Sequence, residues 1–411
     1  METYHLSQPT MILSYGFESF NDIQLLVRTW NSGLQMMTFG LKSYLESQLN
    51  LSLDLSASPN SGKALFQCQN TKPVISGFFL QDMFDELQHI KYVSICNDQV
   101  TVQNTIMDFI PNNIHLIASS NGLICCRNFG IGAQLVFICN PLKREFLEIK
   151  GPKGINEHKL RGLGFVFDPQ CYSLDGTPSF KLVSISKRKS SVFSFHIYSS
   201  EERKWRLSEE ICYDDCDLSL GGRGIFAGGV VYWLTVGSVV IAFDLEKGNS
   251  KCINLPVPRI HRNEGLCEMC IGESVGCLHY ILITDADLRV WVLNGEHGWL
   301  LKHSISLTAI QEEYPNFFYN EGRLASAIVV SGLILPTWIE PISFKDGNLL
   351  IKLRCCLRYG RRGVDVSTKI YLYNFDAGTV KELCALEDLG LPIGYLRTIP
   401  YSMSFAPLLS T

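Results

Sequence analysis

The sequence predicts a mainly β fold: a β-propeller of about six four-stranded blades, preceded by a short helical N-terminal segment. Three observations predict it. After residue 62, short apolar runs are bounded by Gly, Pro, Asn and Asp, a loose unit of strands and turns recurs, and 11% of the 411 residues are aromatic while 33 are glycine. Apolar residues make up 46% and charged residues 18%, which is a folding composition and excludes wholesale disorder.

The recurring unit carries most of this prediction, because internal repeats decide the architecture. Each copy has a glycine, an apolar strand, a second apolar strand that ends in a polar turn, and a bulky residue on a third strand. The copies begin at Gly122, Gly164, Gly229, Gly276 and Gly347. A single sheet of this kind cannot bury both of its faces, whereas blades stacked around an axis cover one another.

The spacing of the polar turns agrees with blades of ordinary length. The turns lie at intervals of 59, 45, 50 and 80 residues, at Asn140, Ser199, Asp244, Asn294 and Asn374. The middle intervals match the roughly 40–50 residues of a four-stranded blade. A loop near residues 168–178 would explain the first interval, and an insertion or an extra blade around residues 326–339 the last. One large β-sandwich or two would have the same strands without a fixed period.

Residues 1–50 differ from the rest, because their apolar positions recur every three or four residues and indicate one or two amphipathic helices. These positions are Ile23, Leu26, Val27, Trp30, Leu34, Met37 and Leu41. Residues 51–62 contain Ser, Asn and Pro and predict a linker. The propeller would then occupy residues 63–411.

Charge and cysteine content exclude several classes of protein. Lys plus Arg number 36 and Asp plus Glu 40, so the formal net charge of −4 argues against a general polyanion binder and we expect no nucleic-acid partner. Met1–His5 does not begin a basic and apolar leader, so we expect no signal peptide. Fifteen cysteines in so long a chain indicate free, mostly buried thiols in a reducing compartment, the cytoplasm and/or the nucleus.

One uncharged segment of 19 residues, Ile225–Phe243, is long enough on paper to cross a bilayer. However, it is rich in valine, and Gly237–Ser238 divides it into two β-branched runs. Two such runs about a glycine-containing turn are typical of a β-hairpin. We therefore expect strands here and no membrane partner.

Motifs typical of catalytic sites lack the required context. Gly272–Gly276 has the G-x-S-x-G spacing, but a nucleophile elbow opens a helix and Cys277–Ile283 predicts a strand. Gly221–Gly224 lacks both the G-x-G-x-x-G spacing and a following helix, so it predicts no dinucleotide site. Asp285 and Asp287 could do acid–base work, but aspartates on a turn routinely bond to the backbone. We expect no cofactor.

A cysteine pair raises the possibility of zinc. Cys267 and Cys270 form a Cys-x-x-Cys motif, and Cys277 and His279 would share one face of a strand, which the first pair could approach. Nearly every strand of this chain carries cysteine, however. Buried structural thiols are therefore the favoured interpretation, and we expect no metal.

Three short charged runs interrupt the apolar pattern. Lys187–Lys189 and Arg358–Arg362 are basic and predict solvated hairpin loops, and such loops form the recognition faces of propellers. The third run is acidic, with Asp214 and Asp215 lying between Cys212 and Cys216. We expect these two cysteines also to be structural thiols.

The order of strand, Asn or Asp turn, polar residues and Trp resembles the outer hairpin of kelch-type blades. More narrowly, residues 62–410 resemble the F-box-associated β-propeller domain of plant F-box proteins. The segments that carry the resemblance are Val74–Leu80, Ala118–Cys126, Phe137–Leu142, Ile241–Leu245 and Cys252–Pro256. The resemblance implies a kelch-like propeller that binds another protein.

In that family an F-box of about 45 residues precedes the propeller and binds the Skp-type adaptor of a cullin–RING ubiquitin ligase. Leu26–Leu34 followed by Phe39 is similar to the second half of an F-box, with Arg28 where Lys is usual. Met1–Phe20 has no Leu-Pro opening and no acidic first helix, so the F-box is partial. By this resemblance the adaptor-binding residues would be Leu26, Val27, Arg28, Trp30, Leu34 and Phe39.

The sequence thus predicts a non-catalytic module, the substrate-recognition subunit of an SCF-type cullin–RING ligase. Its partners would be a Skp-type adaptor with its cullin complex and an unidentified protein substrate. Two alternatives remain. The first is a free-standing propeller that sequesters a partner, since the F-box is incomplete. The second is a propeller enzyme, which would gather several His, Asp or Glu side chains around the axis.

Overall fold

A computed structural model describes most of the chain beyond residue 74. The described residues are 75–82, 90–96, 99–103, 106–111, 113–128, 134–152, 162–172, 178–189, 191–219, 222–257, 268–284, 286–314, 339–360, 363–391, 396–402 and 408. The expected N-terminal helices, the linker and the adaptor-binding candidates Leu26, Val27, Arg28, Trp30, Leu34 and Phe39 lie outside the described residues.

The described residues form 24 strands and one short α-helix, α1 (Leu307–Glu313). The strands are β1 (Gly77–Asp82), β2 (Ile90–Cys96), β3 (Gln99–Gln103), β4 (Ile114–Ser120), β5 (Leu123–Asn128), β6 (Leu135–Asn140), β7 (Glu145–Lys150), β8 (Gly162–Tyr172), β9 (Pro178–Lys189), β10 (Val192–Ser199), β11 (Lys204–Tyr213), β12 (Arg223–Ala227), β13 (Val230–Leu234), β14 (Val239–Asp244), β15 (Ser250–Asn254), β16 (Glu268–Ser274), β17 (Cys277–Ile283), β18 (Asp287–Leu293), β19 (Trp299–Ser306), β20 (Ile339–Lys345), β21 (Asn348–Gly360), β22 (Gly363–Asn374), β23 (Thr379–Ala385) and β24 (Leu396–Tyr401).

These strands make six four-stranded antiparallel units. Blade 1 is β24-β1-β2-β3, blade 2 is β4 to β7, blade 3 is β8 to β11, blade 4 is β12 to β15, blade 5 is β16 to β19 and blade 6 is β20 to β23. Short parallel pairings join blade 3 to blade 4, where Gly164 lies opposite Gly224, and blade 5 to blade 6, where Glu273 lies opposite Lys345. The prediction of a mainly β propeller of about six four-stranded blades is confirmed.

The inner strands of the blades form a closed ring. Each contacts the next in the order β4, β8, β12, β16, β20, β24 and back to β4. Blade 1 closes this ring, because β24 from the C-terminal end pairs with β1 from the beginning of the described chain. The rings of Phe79, Tyr92 and Tyr401 pack together there, with centroids 4.8 to 5.8 Å apart, so aromatic burial holds the closure.

The hydrophobic core lies between blades rather than within them. One cluster joins Ile138 of blade 2 to Phe165 of blade 3, and the next joins Phe195 of blade 3 to Phe243 of blade 4. Further clusters join blades 4 and 5, blades 5 and 6, and blades 6 and 1. Each blade therefore buries its apolar faces against its neighbours, as the repeat requires.

The repeated glycines have a precise conformational reason. Four of the turns between a first and a second strand have positive φ at both central residues, which is the type I′ geometry of two-residue hairpins. The pairs are Asn121-Gly122, Gly228-Gly229, Val275-Gly276 and Asp346-Gly347. The glycine that opens four of the sequence copies is the second residue of each turn, where a side chain would be strained.

Two details of the predicted repeat are wrong, and a third lies mostly outside the described residues. Residues 168–172, expected in a loop, belong to β8, which continues to Tyr172; β9 begins at Pro178, and residues 173–177 lie outside the described part. The copy that begins at Gly164 omitted a strand, since Gly164 lies on β8 and β9 intervenes before β10. The last long interval contains α1 and the long β21–β22 hairpin, and residues 315–338 lie outside the described part.

The basic runs were also misplaced by the sequence interpretation. Lys187–Lys189 lies on β9, and Arg358–Gly360 lies on β21, whereas both had been expected in loops. Lys189 still lies opposite Val192 in the ladder. Charged side chains do not end a strand where the ladder continues and the side chains reach solvent or polar partners.

The uncharged segment Ile225–Phe243 contains the end of β12, all of β13 and most of β14. It packs within blade 4 and against its neighbours, which confirms the expected strands. Among the residues that the structure describes, no helix is long and apolar enough to cross a membrane.

Val275 generates a stability prediction. It is 73% exposed and has a φ of 53°, a conformation that is unfavourable for a β-branched residue. The equivalent positions of two other turns hold Asn121 and Asp346, which tolerate that conformation. We expect Val275→Asn to raise the free energy of unfolding by about 1 kcal/mol, measured by urea denaturation.

Val236→Asn serves as the matched control. Val236 is also exposed, at 41%, but it has no positive φ. Its substitution should leave the denaturation midpoint nearly unchanged. An equal gain in both variants, or a lower midpoint for Val275→Asn, would contradict the turn argument.

Candidate recognition surface

Buried arginines bridge the axis of the propeller. Arg223 lies on β12, opposite β24 in the ring of inner strands, and its guanidinium donates to the Thr398 carbonyl at 2.5 Å. Arg397 on β24 is 9% exposed and donates to the carbonyl of Leu116 on β4. Burial, reinforced by the charges of Arg127 and Arg223, lowers the pKa of Arg397 to about 9. At this level the Arg223 side chain crosses the axis from β12 to β24.

A second polar group lies beside these arginines. Lys352 of β21 is buried and forms an ion pair with Glu340 of β20. Cys270 of β16 lies near both Arg223 and Glu340. Burial raises the pKa of its thiol to about 12, the charge of Arg223 lowers that pKa, and the charge of Glu340 raises it. These ionisable groups neutralise one another or bond to backbone carbonyls, which is what buried charges require.

The G-x-S-x-G motif is a strand end and a turn. Ser274 is the last residue of β16, is buried, and lies opposite Cys277 of β17. The prediction that Cys277–Ile283 is a strand is confirmed. No helix follows Ser274, so the local geometry of a nucleophile elbow is absent from this described hairpin.

The residues of the zinc hypothesis are spread along the same hairpin. Cys277 is exposed at its turn, His279 is buried two residues on, and Cys270 lies opposite Ile281 further along. Burial lowers the pKa of His279, whose Nδ1 lies 3.1 Å from the Cys277 carbonyl oxygen. Cys267 lies outside the described residues. Among the residues that are described, no three His, Cys, Asp or Glu side chains could jointly hold a metal.

The remaining motifs have structural roles. The Asp287 carboxylate accepts hydrogen bonds from Thr284 and Arg289, so it fixes a turn, as expected for an aspartate there. A Cβ on Gly224 would lie 2.7 Å from the Cα of Gly164 and 2.9 Å from Nε1 of Trp233. Glycine at this position therefore permits the close pairing of β12 with β8.

The two ends of the propeller differ in their connections. Because neighbouring strands of a blade are antiparallel, the turns between first and second and between third and fourth strands lie at one end. The connections between blades and between second and third strands lie at the other end, which we call the long-loop face. Its described segments include residues 214–219, 235–238, 255–257, 307–314 and 386–391.

On the long-loop face, the loop of residues 214–219 is held rigidly. The Lys187 ammonium donates to the carbonyl oxygens of Asp215 at 2.9 Å and Cys216 at 3.3 Å and to the Asp217 carboxylate at 3.0 Å. The amide of Val236, in the β13–β14 turn, donates to the Asp217 carbonyl at 2.8 Å. A loop from blade 3 is thus fixed against a turn of blade 4.

This loop presents acidic and apolar groups to solvent. Tyr213, which precedes it, is 67% exposed, and the Asp217 side chain is 78% exposed. A rigid backbone that displays an aromatic ring beside carboxylates is suited to binding a protein surface, because little loop entropy is lost on association. The sequence shows the acidic residues but does not reveal this surface, since Lys187 was expected in a separate loop.

The ring of six described blades defines a β-propeller. The chain belongs to the family described as "F-box protein At3g26010-like, beta-propeller", whose model matches residues 101–320. This confirms the resemblance to plant F-box proteins with a propeller domain.

Two curated relatives come from Arabidopsis thaliana. F-box protein At5g49610 is 25% identical over 238 residues, which cover 54% of this chain and 65% of that protein. The putative F-box/kelch-repeat protein At1g20790 is 24% identical over 221 residues, 51% of this chain and 47% of that protein. The match thus spans less than two thirds of either relative. Among solved structures, TolB from Acinetobacter baumannii matches over 84% of this chain and 74% of its own, with a TM-score of 0.43 and 10% identity. A likeness of that degree carries no argument about function.

His115, on β4 beside the axial arginines, generates a pH prediction. It is 3% exposed, and burial first, then the charges of Arg397 and Arg127, lower its pKa from 6.5 to about 4. Between pH 6.5 and 4 the unfolded chain therefore binds more protons at this site than the folded chain. Stability due to His115 is present above pH 6.5 and is lost as the pH falls towards 4.

We expect this residue to account for up to about 3 kcal/mol of acid destabilisation. The measurement is the free energy of unfolding of wild type and His115→Gln between pH 7 and 4, compared as slopes so that a constant effect of the substitution cancels. The pKa values of His196, His279 and His303 are also lowered by burial, so wild type retains part of its slope from them. Parallel pH profiles for the two proteins would contradict the assignment.

Proposed function

We propose that this protein is a non-catalytic substrate-recognition subunit of an SCF-type cullin–RING ubiquitin ligase. The observation that carries the proposal is the family match over residues 101–320, on a propeller with six described blades. Both curated relatives are named as F-box proteins, which supports a link to a Skp-type adaptor. The target protein would bind the long-loop face.

The proposed mechanism is proximity. One surface of the chain binds the target and another binds the adaptor, so the target is held at a high effective concentration near the ligase. The propeller suits this role because its closed ring makes the target-binding surface rigid. No residue of the chain needs to take part in chemistry.

The proposed division of the chain follows from this mechanism. Residues 1–50 would contact the adaptor, residues 51–62 would link the two parts, and residues 63–411 would form the propeller domain. Leu26, Trp30 and Leu34 are spaced by four residues, which would place them on one face of the helix that the sequence predicts. Val27, Arg28 and Phe39 would complete the contact. The proposed location is the cytoplasm and/or the nucleus, where adaptor and cullin complexes would be met.

The test is co-purification of the full chain with a plant Skp-type adaptor, followed by titration of the purified proteins. We expect binding by the wild type and a loss of affinity of at least about tenfold for Trp30→Ala and for Leu34→Ala, because large apolar anchors dominate such contacts. Leu300→Ala is the matched control, since Leu300 is 58% exposed on the outer strand β19 of the propeller. It should bind the adaptor as wild type does.

A specific observation favours a second candidate function. The family match covers residues 101–320 and none of residues 1–50, which favours a free-standing propeller that sequesters its partner. This function predicts no measurable adaptor binding by a folded wild-type chain. Equal adaptor binding by wild type, Trp30→Ala and Leu34→Ala would contradict the proposed contact instead.

A further inference from the structure

Two cysteine thiols lie in contact between the outer strands of blades 3 and 4. Cys212 is on β11 and Cys252 is on β15, and their Sγ atoms are 3.3 Å apart. Cys212 lies opposite Phe193 and Cys252 opposite Ile241, and the side chains of Phe193 and Ile241 both pack in the core between the two blades. A disulfide bond is about 2.05 Å long, so the two sulfur atoms need to approach by only about 1.3 Å.

The junction at this rim consists of side-chain contacts. β11 and β15 are the two edge strands of an eight-stranded sheet whose halves are joined at the axis by the parallel pairing of β8 with β12. At the rim, the Glu210 carboxylate accepts from the amide and the hydroxyl of Ser250, at 2.8 and 2.5 Å, next to the thiol pair. A covalent bond between Cys212 and Cys252 would join blades 3 and 4 at the rim as well as at the axis.

The other described cysteines lack either a partner or access. Cys126 and Cys139 are hydrogen-bonded to each other, but both are 0% exposed, so a soluble reagent cannot reach them. Cys277 is exposed at the β16–β17 turn, with no thiol contact among the described residues. Among these residues, only the Cys212–Cys252 pair combines two thiols in contact with one exposed cysteine, Cys252.

We propose that Cys212 and Cys252 are a redox-modification site that forms a reversible inter-blade disulfide by exchange with small disulfides such as oxidised glutathione. The exposed Cys252 thiolate attacks one glutathione sulfur, and the S–S bond breaks to release one reduced glutathione. The Cys212 thiolate then attacks the Cys252 sulfur of the mixed disulfide and expels the second glutathione. Two electrons and two protons pass from the protein thiols to the glutathione sulfurs.

The pKa of Cys252 sets the rate of thiol–disulfide exchange, and the positions of the two cysteines set the structural effect of the bond. Burial first, then the hydrogen bond and charge of Cys212, raise the pKa of Cys252 to about 12, so little thiolate is present at neutral pH and exchange should take hours. The bond would also tie down the base of the loop of residues 214–219, because Cys212 lies on β11 two residues before that loop begins. The hydrogen bond from the Cys252 thiol to the Tyr213 carbonyl, 3.6 Å long, would be lost with the thiol proton. Oxidation would thus stiffen one edge of the long-loop face.

The test uses the full wild-type chain, equilibrated for a day with oxidised or reduced glutathione and then alkylated. Peptide mass spectrometry should show that the peptides containing Cys212 and Cys252 are linked after oxidation, with neither cysteine alkylated, and that dithiothreitol restores both. The thermal midpoint of the oxidised chain should lie about 5 °C above that of the reduced chain, because the bond closes a long loop in the unfolded state.

Three variants make the test specific. Cys252→Ser and Cys212→Ala should lose both the linked peptide and the shift in thermal midpoint, and Cys277→Ser should behave as wild type. A glutathione adduct on Cys252 with Cys212 still alkylated, or alkylation of both residues after oxidation, would overturn the proposal. None of these outcomes bears on adaptor binding, so the proposed function is tested independently.

Discussion

Closure of the ring by blade 1 is the constraint on which the rest of the structure depends. Every four-stranded sheet here has two apolar faces, and a sheet buries both only if it has a neighbour on each side. Pairing of β24 with β1 supplies the last neighbour, and the rings of Phe79, Tyr92 and Tyr401 pack on one another across β1, β2 and β24. Because those strands come from opposite ends of the described chain, the fold is completed only by a contact of long sequence separation.

The closed ring also determines which polar groups can be buried. The inner strands converge, so side chains from opposite blades meet at the axis, and Arg223 reaches the Thr398 carbonyl 175 residues away in sequence. Such charges are tolerated where carbonyl oxygens or carboxylates receive them, as Glu340 receives Lys352.

The sequence predicted the features that depend on neighbouring residues and missed the contacts between residues that lie far apart in the chain. Gly122 and Gly276 revealed the repeat because a type I′ turn imposes its glycine through backbone conformation alone, and the strands next to such turns followed from their apolar runs. The contact of Cys212 with Cys252 and the bridge from Arg223 could not be read from the sequence, because each depends on how two blades are placed around the axis. Lys187 was misplaced because charge alone does not distinguish the end of a long strand from a loop.

The corrected position of Lys187 explains how a rigid scaffold can hold an extended recognition loop. A lysine in a mobile loop could not fix another loop, but one on β9 projects from a hydrogen-bonded ladder. Its ammonium donates to two backbone carbonyls and to the Asp217 carboxylate, and the amide of Val236 in blade 4 donates to a carbonyl of the same loop. The long-loop face therefore takes its shape from the spacing of the blades, so whatever sets that spacing, at the axis or at the rim, also sets the geometry offered to a partner.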